Sequence, residues 1–143
     1  VLTSEGDAAG AERYLNRALE LDPTSPEPLM VLGDLSRDRG DHPRSSHLYR
    51  QAILLGKDDA EAHSALGQSL LDGGDRAGAE RETAAALALS PGYPEALFTR
   101  ARLSLAAGRR QEAASDLRAA VQSGGERFRS RALADPQLKD LLN

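Results

Sequence analysis

Residues 19–29 read LELDPTSPEPL, and residues 87–97 read LALSPGYPEAL. Both follow the pattern Leu-x-Leu-x-Pro-x-x-Pro-Glu-x-Leu, and the second begins 68 residues after the first. Midway between them, residues 53–63 read ILLGKDDAEAH, a degraded copy in which Lys57 stands where the first proline would be. A sequence segment that recurs at a fixed interval predicts a repeat array, because the connections between stacked repeats recur with the same period.

The interval that fits the whole chain is 34 residues, half of 68. Glycine, alanine and glutamate each recur at this spacing: Gly6, Gly40, Gly74 and Gly108; Ala18, Ala52, Ala86 and Ala120; Glu27, Glu61 and Glu95. The chain is 40% apolar but only 3% aromatic, so alanine and leucine, both strong helix formers, supply most of the apolar content. Since no stretch alternates like a strand, we expect an all-α protein.

Helices with a 34-residue period resemble the tetratricopeptide repeat family. The residues that carry the resemblance are Leu32-Gly33 and Leu66-Gly67 at repeat positions 7 and 8, Ala11, Ala79 and Ala113 at position 20, Leu15, Tyr49 and Leu117 at position 24, and alanine at position 27 in all four copies. The chain departs from the pattern at Arg100, at Thr83 and at Lys57, where the family has leucine, a large apolar residue and proline.

The resemblance implies a right-handed α-solenoid of helix-turn-helix repeats. We divide residues 1–143 into one array: a truncated first repeat, mainly its second helix, at 1–25; repeats at 26–59, 60–93 and 94–127; and a C-terminal capping segment at 128–143. Because most of the first repeat's helix A is absent, we expect the array to continue upstream or another chain to cover this end.

Within each repeat the sequence predicts two amphipathic helices. Helix A covers about 26–39, 60–73 and 94–107, and helix B about 7–21, 41–55, 75–89 and 109–123. Glycine at 40, 74 and 108 can adopt the left-handed conformation that ends helix A. The residues placed to cap the helices are Asp7, Asp41, Asp75, Ser25 and Asp59.

The last residues, FRSRALADPQLKDLLN, leave the repeat pattern. They predict a short helix near 127–133 and a second near 136–142, which starts at Pro136 with Asp135 as its cap. The residues expected to cover the last repeat are Phe128, Leu133, Leu138 and Leu141; those expected to face water are Arg129, Arg131, Lys139 and Asp140.

No motif in the chain indicates catalysis. There is no cysteine, HExxH, P-loop or GxSxG motif, and the three histidines lack the spacing of metal ligands, so we predict no catalytic residue, no cofactor and no metal site. A net charge of −4 argues against a nucleic-acid surface, and no apolar run is long enough for a membrane helix. The composition favours a bacterial source and leaves the cytoplasm and the periplasm both open.

The resemblance also implies where a partner binds, because helix A lines the concave groove in this family. Carried onto this chain, the partner-binding groove consists of Glu27, Met30, Asp34, Arg37, Asp38, Glu61, Ser64, Gln68, Leu71, Asp72, Glu95, Phe98, Arg102 and Leu105. We expect Met30, Leu71, Phe98 and Leu105 to form an exposed apolar patch, unless they pack between repeats instead. Since acids outnumber bases in this set, a basic or apolar protein segment fits it better than an acidic one.

Three functions are compatible with these features. The first is a non-catalytic protein-protein interaction module or scaffold that binds a partner peptide or helix within a multiprotein assembly. The second is a substrate-recruitment region of a larger enzyme such as a transferase. The third is a self-associating scaffold, a homo-oligomer formed when the uncovered first helix B docks on a second copy.

Overall fold

The computed structural model describes residues 4–143 and is helical throughout this range. The helices are α1 (Ser4–Leu21), α2 (Glu27–Asp38), α3 (His42–Leu54), α4 (Ala60–Asp72), α5 (Arg76–Leu89), α6 (Pro94–Ala106), α7 (Arg110–Gly124) and α8 (Glu126–Ala134), followed by a terminal 3₁₀ helix (Lys139–Leu142). The prediction of an all-α fold is confirmed. Residues 1–3 of the predicted truncated repeat lie outside the described residues.

Consecutive helices pack as antiparallel pairs that stack into a solenoid. The pairs α2/α3, α4/α5 and α6/α7 make the closest contacts, and α3 packs on α4 as α5 packs on α6. Helix α4 also contacts α6, so the first helices of successive pairs share one face. The residue-level boundaries of the repeats stay a prediction.

The predicted turns at three glycines and the predicted caps of α3, α4 and α5 are confirmed. Gly40, Gly74 and Gly108 have φ angles of 76°, 92° and 79°, the left-handed region that a side chain disfavours. Asp41 and Asp75 cap α3 and α5 by accepting hydrogen bonds from the backbone N–H groups three residues on, at 3.2 and 2.9 Å. Asp59 caps α4 in the same way at 2.9 Å.

Two predicted caps are wrong. Asp7 lies inside α1, which begins at Ser4 and passes through Gly6 without a turn. Ser25 does not cap α2, because Pro26 occupies the N-cap position and has no side-chain acceptor. Gly6 and Asp7 are therefore helical, whereas Gly40-Asp41 and Gly74-Asp75 form the turn and cap before α3 and α5.

The second repeat has a tightly packed aromatic contact at its centre. Tyr49 is fully buried and lies against Gly33, where an added Cβ would come within 2.5 Å of the tyrosine ring. Its hydroxyl donates a 2.6 Å hydrogen bond to Asp34. Glycine at position 33 thus lets α2 and α3 approach closely enough to enclose the ring.

The C-terminal segment covers the last repeat, as predicted, but with different residues in part. Phe128, Leu138 and Leu141 are buried against α6 and α7. The expectation for Leu133 is wrong, since it points away from the core and is 47% exposed. The predicted second helix is also wrong in extent: residues 136–138 form a turn, and the helix that follows is a short 3₁₀ helix at Lys139–Leu142.

Candidate partner-binding groove

A cavity of about 330 Å³ lies on the face shared by α2, α4 and α6. We call it the groove cavity. Half of the predicted groove residues line it: Met30, Asp34, Arg37, Glu61, Ser64, Gln68 and Glu95. The structure therefore brings together, on three helices, residues that the sequence places 31 to 34 positions apart, such as Asp34 with Gln68 and Glu61 with Glu95.

Three further residues line the groove cavity that the sequence did not indicate, namely Ala65, Tyr93 and Arg127. Tyr93 precedes α6, and burial raises the pKa of its hydroxyl above the usual value. Arg127 lies in α8, at the end of the repeat at 94–127 and directly before the capping segment.

The remaining predicted residues lie beside the groove cavity rather than in it. Asp72 and Arg102 form an ion pair at 2.9 Å, and Glu27 lies 3.6 Å from Lys57. Asp38 is exposed near the end of α2. Leu71 and Leu105 are half-buried, each packed against one of the two hydrophobic cores.

The expected exposed apolar patch is wrong. Met30 is 3% exposed and Phe98 is 6% exposed, because both side chains pack between repeats. The Phe98 ring lies 6.1 Å from the Phe128 ring, tilted by 57°, and the Arg131 guanidinium covers it at 4.4 Å from the ring centre. These residues contribute to the stability of the groove wall rather than to a free apolar surface.

The expectation that Arg131 faces water is also wrong. Its guanidinium donates hydrogen bonds to both carboxylate oxygens of Glu95, at 2.9 and 3.0 Å. Arg127 approaches the same carboxylate at 3.8 Å. Helix α8 thus brings two cations to an acid that the sequence placed alone at the groove edge.

A third cation, Lys57, offsets acids elsewhere on the groove face. Lys57, which replaces the expected proline, lies 2.9 Å from Asp59, 3.2 Å from Glu61 and 3.6 Å from Glu27. The hydrogen bond to Asp59 is the main reason that the pKa of Lys57 is raised. The groove face is therefore less acidic than the fourteen predicted residues imply, since Glu27, Glu61 and Glu95 are paired with Lys57, Arg127 and Arg131.

Polar side chains form a network along the groove cavity. Asp34 accepts the hydrogen bond from Tyr49 and lies 3.9 Å from the guanidinium of Arg37. Arg37 donates a 3.1 Å hydrogen bond to the Gln68 side-chain oxygen, which joins α2 to α4. This bond leaves the Gln68 amide nitrogen available at the cavity wall.

The hydroxyl of Ser64 has no hydrogen-bond partner among the described residues, although the residue is 2% exposed. A buried hydroxyl without a partner costs free energy, so most such groups in native proteins are satisfied by protein, water or ligand. Ser64 lines the groove cavity from α4, one helical turn before Gln68. It is the strongest single indication of a hydrogen-bonding ligand at this site.

His63 joins two carboxylates behind the groove wall. Its Nδ1 lies 2.7 Å from Glu82 and its Nε2 lies 2.6 Å from Asp58. Burial lowers the pKa of His63, but these hydrogen bonds outweigh that effect and the net pKa is raised. Sequence spacing did not reveal this cluster, because its members come from a loop, α4 and α5. Across residues 4–143 no group of side chains has the arrangement of a metal site.

In the part of the chain that the structure describes, every helix is too short or too polar to cross a membrane.

Comparisons with known proteins agree with this architecture. Two models described as tetratricopeptide repeat match residues 2–69 and residues 64–129. Cellulose synthase operon protein C of Pseudomonas fluorescens (strain SBW25) is 31% identical over 120 residues. That alignment covers 84% of this chain and 9% of the relative, so the chain spans less than a tenth of that protein's length.

Solved structures show the same stacking of helices. The MamA protein aligns with a TM-score of 0.72 at 25% identity, over 96% of this chain and 78% of MamA. The APC/C hetero-tetramer Cut9-Hcn1 aligns with a TM-score of 0.78 at 18% identity, over 82% of this chain and 23% of the matched chain. The second likeness shows the α-solenoid fold alone.

Proposed function

The chain belongs to the tetratricopeptide repeat family, and on that premise we propose that it is a protein-interaction module that holds a partner segment in the groove cavity. Stacked helix pairs create extended surfaces of the kind that repeat proteins use for binding. The residues that line the cavity come from three successive helix pairs, so a bound segment would contact all three.

The observation that carries the proposal is the unpartnered hydroxyl of Ser64 in the groove cavity. A ligand that supplies a hydrogen bond there would remove the cost of leaving the group unsatisfied. The Gln68 amide lies one turn along the same helix, and Tyr93 contributes a hydroxyl to the same cavity. These three side chains offer hydrogen-bond donors and acceptors along the cavity, which can pair with the backbone N–H and C=O groups of an extended segment.

The charges of the groove favour a segment of mixed or weakly basic character. Glu95, Glu61 and Glu27 are already paired with cations of the chain, whereas Asp38 forms no ion pair within the described residues. Our preference for a basic or apolar segment over an acidic one therefore stays a prediction, with a smaller electrostatic contribution than the sequence indicated.

Affinity capture from the native cell tests this proposal with a matched pair of variants. Gln68→Arg places a longer, charged side chain in the groove cavity, and Gln111→Arg makes the same change at an exposed position on α7. We expect the wild type and Gln111→Arg to retain the same proteins and Gln68→Arg to lose them. Equal retention by all three, with the helical content unchanged, would contradict binding in the groove.

The likeness to the Pseudomonas fluorescens protein favours a second candidate for the assembly in which the module works. That protein belongs to a cellulose synthase operon, and 84% of this chain aligns with it. In this candidate function, the array recruits components of a polysaccharide-synthesis assembly or a substrate for its transferase. Capture that retains such components only through the Gln68 surface would support it, and their absence from the retained proteins would exclude it.

A further inference from the structure

A second cavity, of about 480 Å³ and open to solvent, lies between α5, α6 and α7. We call it the socket. It shares no lining residue with the groove cavity, and its apolar floor includes Ala84, Leu103 and Ala107. A volume of this size can hold one or more large apolar side chains. The proposed binding of a segment in the groove makes no use of it.

The socket exists because three large core residues are missing from this junction. In the preceding junction the side chains are Tyr49, Leu66 and Leu70, which are 0%, 2% and 7% exposed. The residues 34 positions later are Thr83, Arg100 and Ser104, and all three line the socket.

Arg100 does not fill the space that Leu66 fills in the preceding junction. Its side chain turns outward, where its Nε and Nη2 atoms each donate a 2.8 Å hydrogen bond to Asp116. An inter-repeat core site has therefore been left open at the surface.

Another part of the array carries a strongly exposed apolar side chain, Leu54, which we call the protrusion. Leu54, at the end of α3, is 85% exposed, and Leu21, at the end of α1, is 73% exposed. Beside Leu54, Pro23 and Leu55 line an open pocket of about 490 Å³. Helix α3 carries the protrusion and α5 to α7 form the socket, with α4 between them, so the two surfaces belong to different parts of the array.

The charges beside the two surfaces are complementary. Glu80, Glu112 and Arg109 line the socket, and none of the three forms an ion pair within residues 4–143, so together they carry one net negative charge. Arg50 lies one helical turn before Leu54 on α3, is exposed, and also forms no ion pair in that range. A leucine with a cation one turn away matches a socket with apolar lining and a net negative charge.

We propose that the socket receives Leu54 of a second copy of this chain, with Arg50 of that copy against Glu80 and Glu112. Because the protrusion and the socket are different surfaces, the contact is head-to-tail and each copy keeps one free protrusion and one free socket. Such a contact adds copies into an open chain unless its rotation closes a ring.

Sedimentation velocity over a wide concentration range tests the proposal. The average mass of the wild type should rise with concentration and pass that of a dimer. Leu54→Glu removes the protrusion, and Ser104→Leu fills the socket with the residue that the preceding junction carries. Each should weaken association by about tenfold or more, the effect of losing one buried leucine contact. Leu89→Glu, at another exposed leucine outside the socket, is the control and should associate like the wild type.

Mixing the two variants distinguishes a head-to-tail contact from every other mode. Leu54→Glu retains a socket and Ser104→Leu retains a protrusion, so an equimolar mixture should form a one-to-one dimer and stop there. A wild type that stays monomeric at all concentrations would overturn the proposal. It would equally fail if either single variant associated like the wild type or if the mixture stayed monomeric.

A charge reversal keeps the test decisive if Ser104→Leu does not fold. Arg50→Glu and Glu112→Arg should each weaken association, and the double variant should restore it. Loss of association in Gln68→Arg, with no effect of Arg50→Glu, would place the second copy in the groove cavity and contradict the socket. The groove proposal and the socket proposal can therefore fail separately.

Discussion

The guanidinium of Arg131 lies 4.4 Å from the centre of the Phe98 ring. The same guanidinium is hydrogen-bonded to Glu95, one turn before Phe98 on α6. Arg131 thus covers the one phenylalanine of the groove helices and neutralises the acid beside it. This contact explains why the groove has a polar wall where the sequence predicted an apolar one.

Replacing Arg131 should reveal how much this cover contributes to stability. Arg131→Ala removes the cation–π contact and the ion pair together, and we expect the free energy of unfolding to fall by about 1–2 kcal/mol. Arg129→Ala, on the exposed side of the same helix, should change it by less than about 0.5 kcal/mol. Urea unfolding followed by circular dichroism measures both, and equal effects would contradict the assigned contact.

The approach of α2 to α3 depends on the missing side chain at Gly33. Gly33→Ala places a Cβ within 2.5 Å of the Tyr49 ring, and we expect a loss of about 1–3 kcal/mol from overpacking. At Gly10, on α1, an added Cβ meets nothing within 4 Å. Gly10→Ala should therefore leave stability unchanged or raise it by up to about 1 kcal/mol, because alanine is the better helix former. Thermal unfolding of the two variants measures both effects. A Gly33→Ala variant as stable as the wild type would contradict the close contact between Gly33 and Tyr49.

Removing the unpartnered hydroxyl should not destabilise the fold. We expect Ser64→Ala to leave the free energy of unfolding unchanged or to raise it by about 1 kcal/mol, since no hydrogen bond is lost. Ser69→Ala, one turn and a half later on α4, removes the group that accepts a 2.9 Å hydrogen bond from Ser45 and should cost about 1 kcal/mol. Chemical denaturation compares the two, and a larger loss for Ser64→Ala would show that Ser64 has a structural partner.

The contacts of His63 with Glu82 and Asp58 should make stability depend on pH. Because the folded pKa of His63 is raised, its contribution is fully present below the unfolded pKa of about 6.5. The contribution is lost as pH rises through the folded pKa. The difference in Tm between the wild type and His63→Gln should therefore be largest below about pH 6 and should shrink at higher pH.

Calorimetry at a series of pH values measures this difference, with His47→Gln at an exposed histidine as the control for losing a surface imidazole. A difference that grows as the pH rises would contradict the contact.

Periodic features of the sequence were sufficient to predict most of the fold. The turns at Gly40, Gly74 and Gly108 follow from a local conformational requirement, and Asp41 and Asp75 cap helices through residues three positions away. Such local effects recur with the repeat, so they can be recognised without a structure. Half of the predicted groove residues line one cavity for the same reason.

The features that the sequence did not reveal depend on contacts outside the repeat. Phe98 is covered by Arg131 of the capping segment, whose course no periodic pattern predicts. Lys57 occupies a position where the pattern has proline, yet it pairs with three acids. The charge of the groove face was therefore misjudged from the sequence.

Hydrogen exchange with a captured partner tests the central claim most directly. The purified partner, or the segment of it that binds, would be added to the wild-type chain and the protected amides mapped. Protection confined to α2, α4 and the start of α6, and reduced by Ser64→Ala, is the result that the account predicts. Protection on α5 and α7 with α2 and α4 unaffected would contradict binding in the groove.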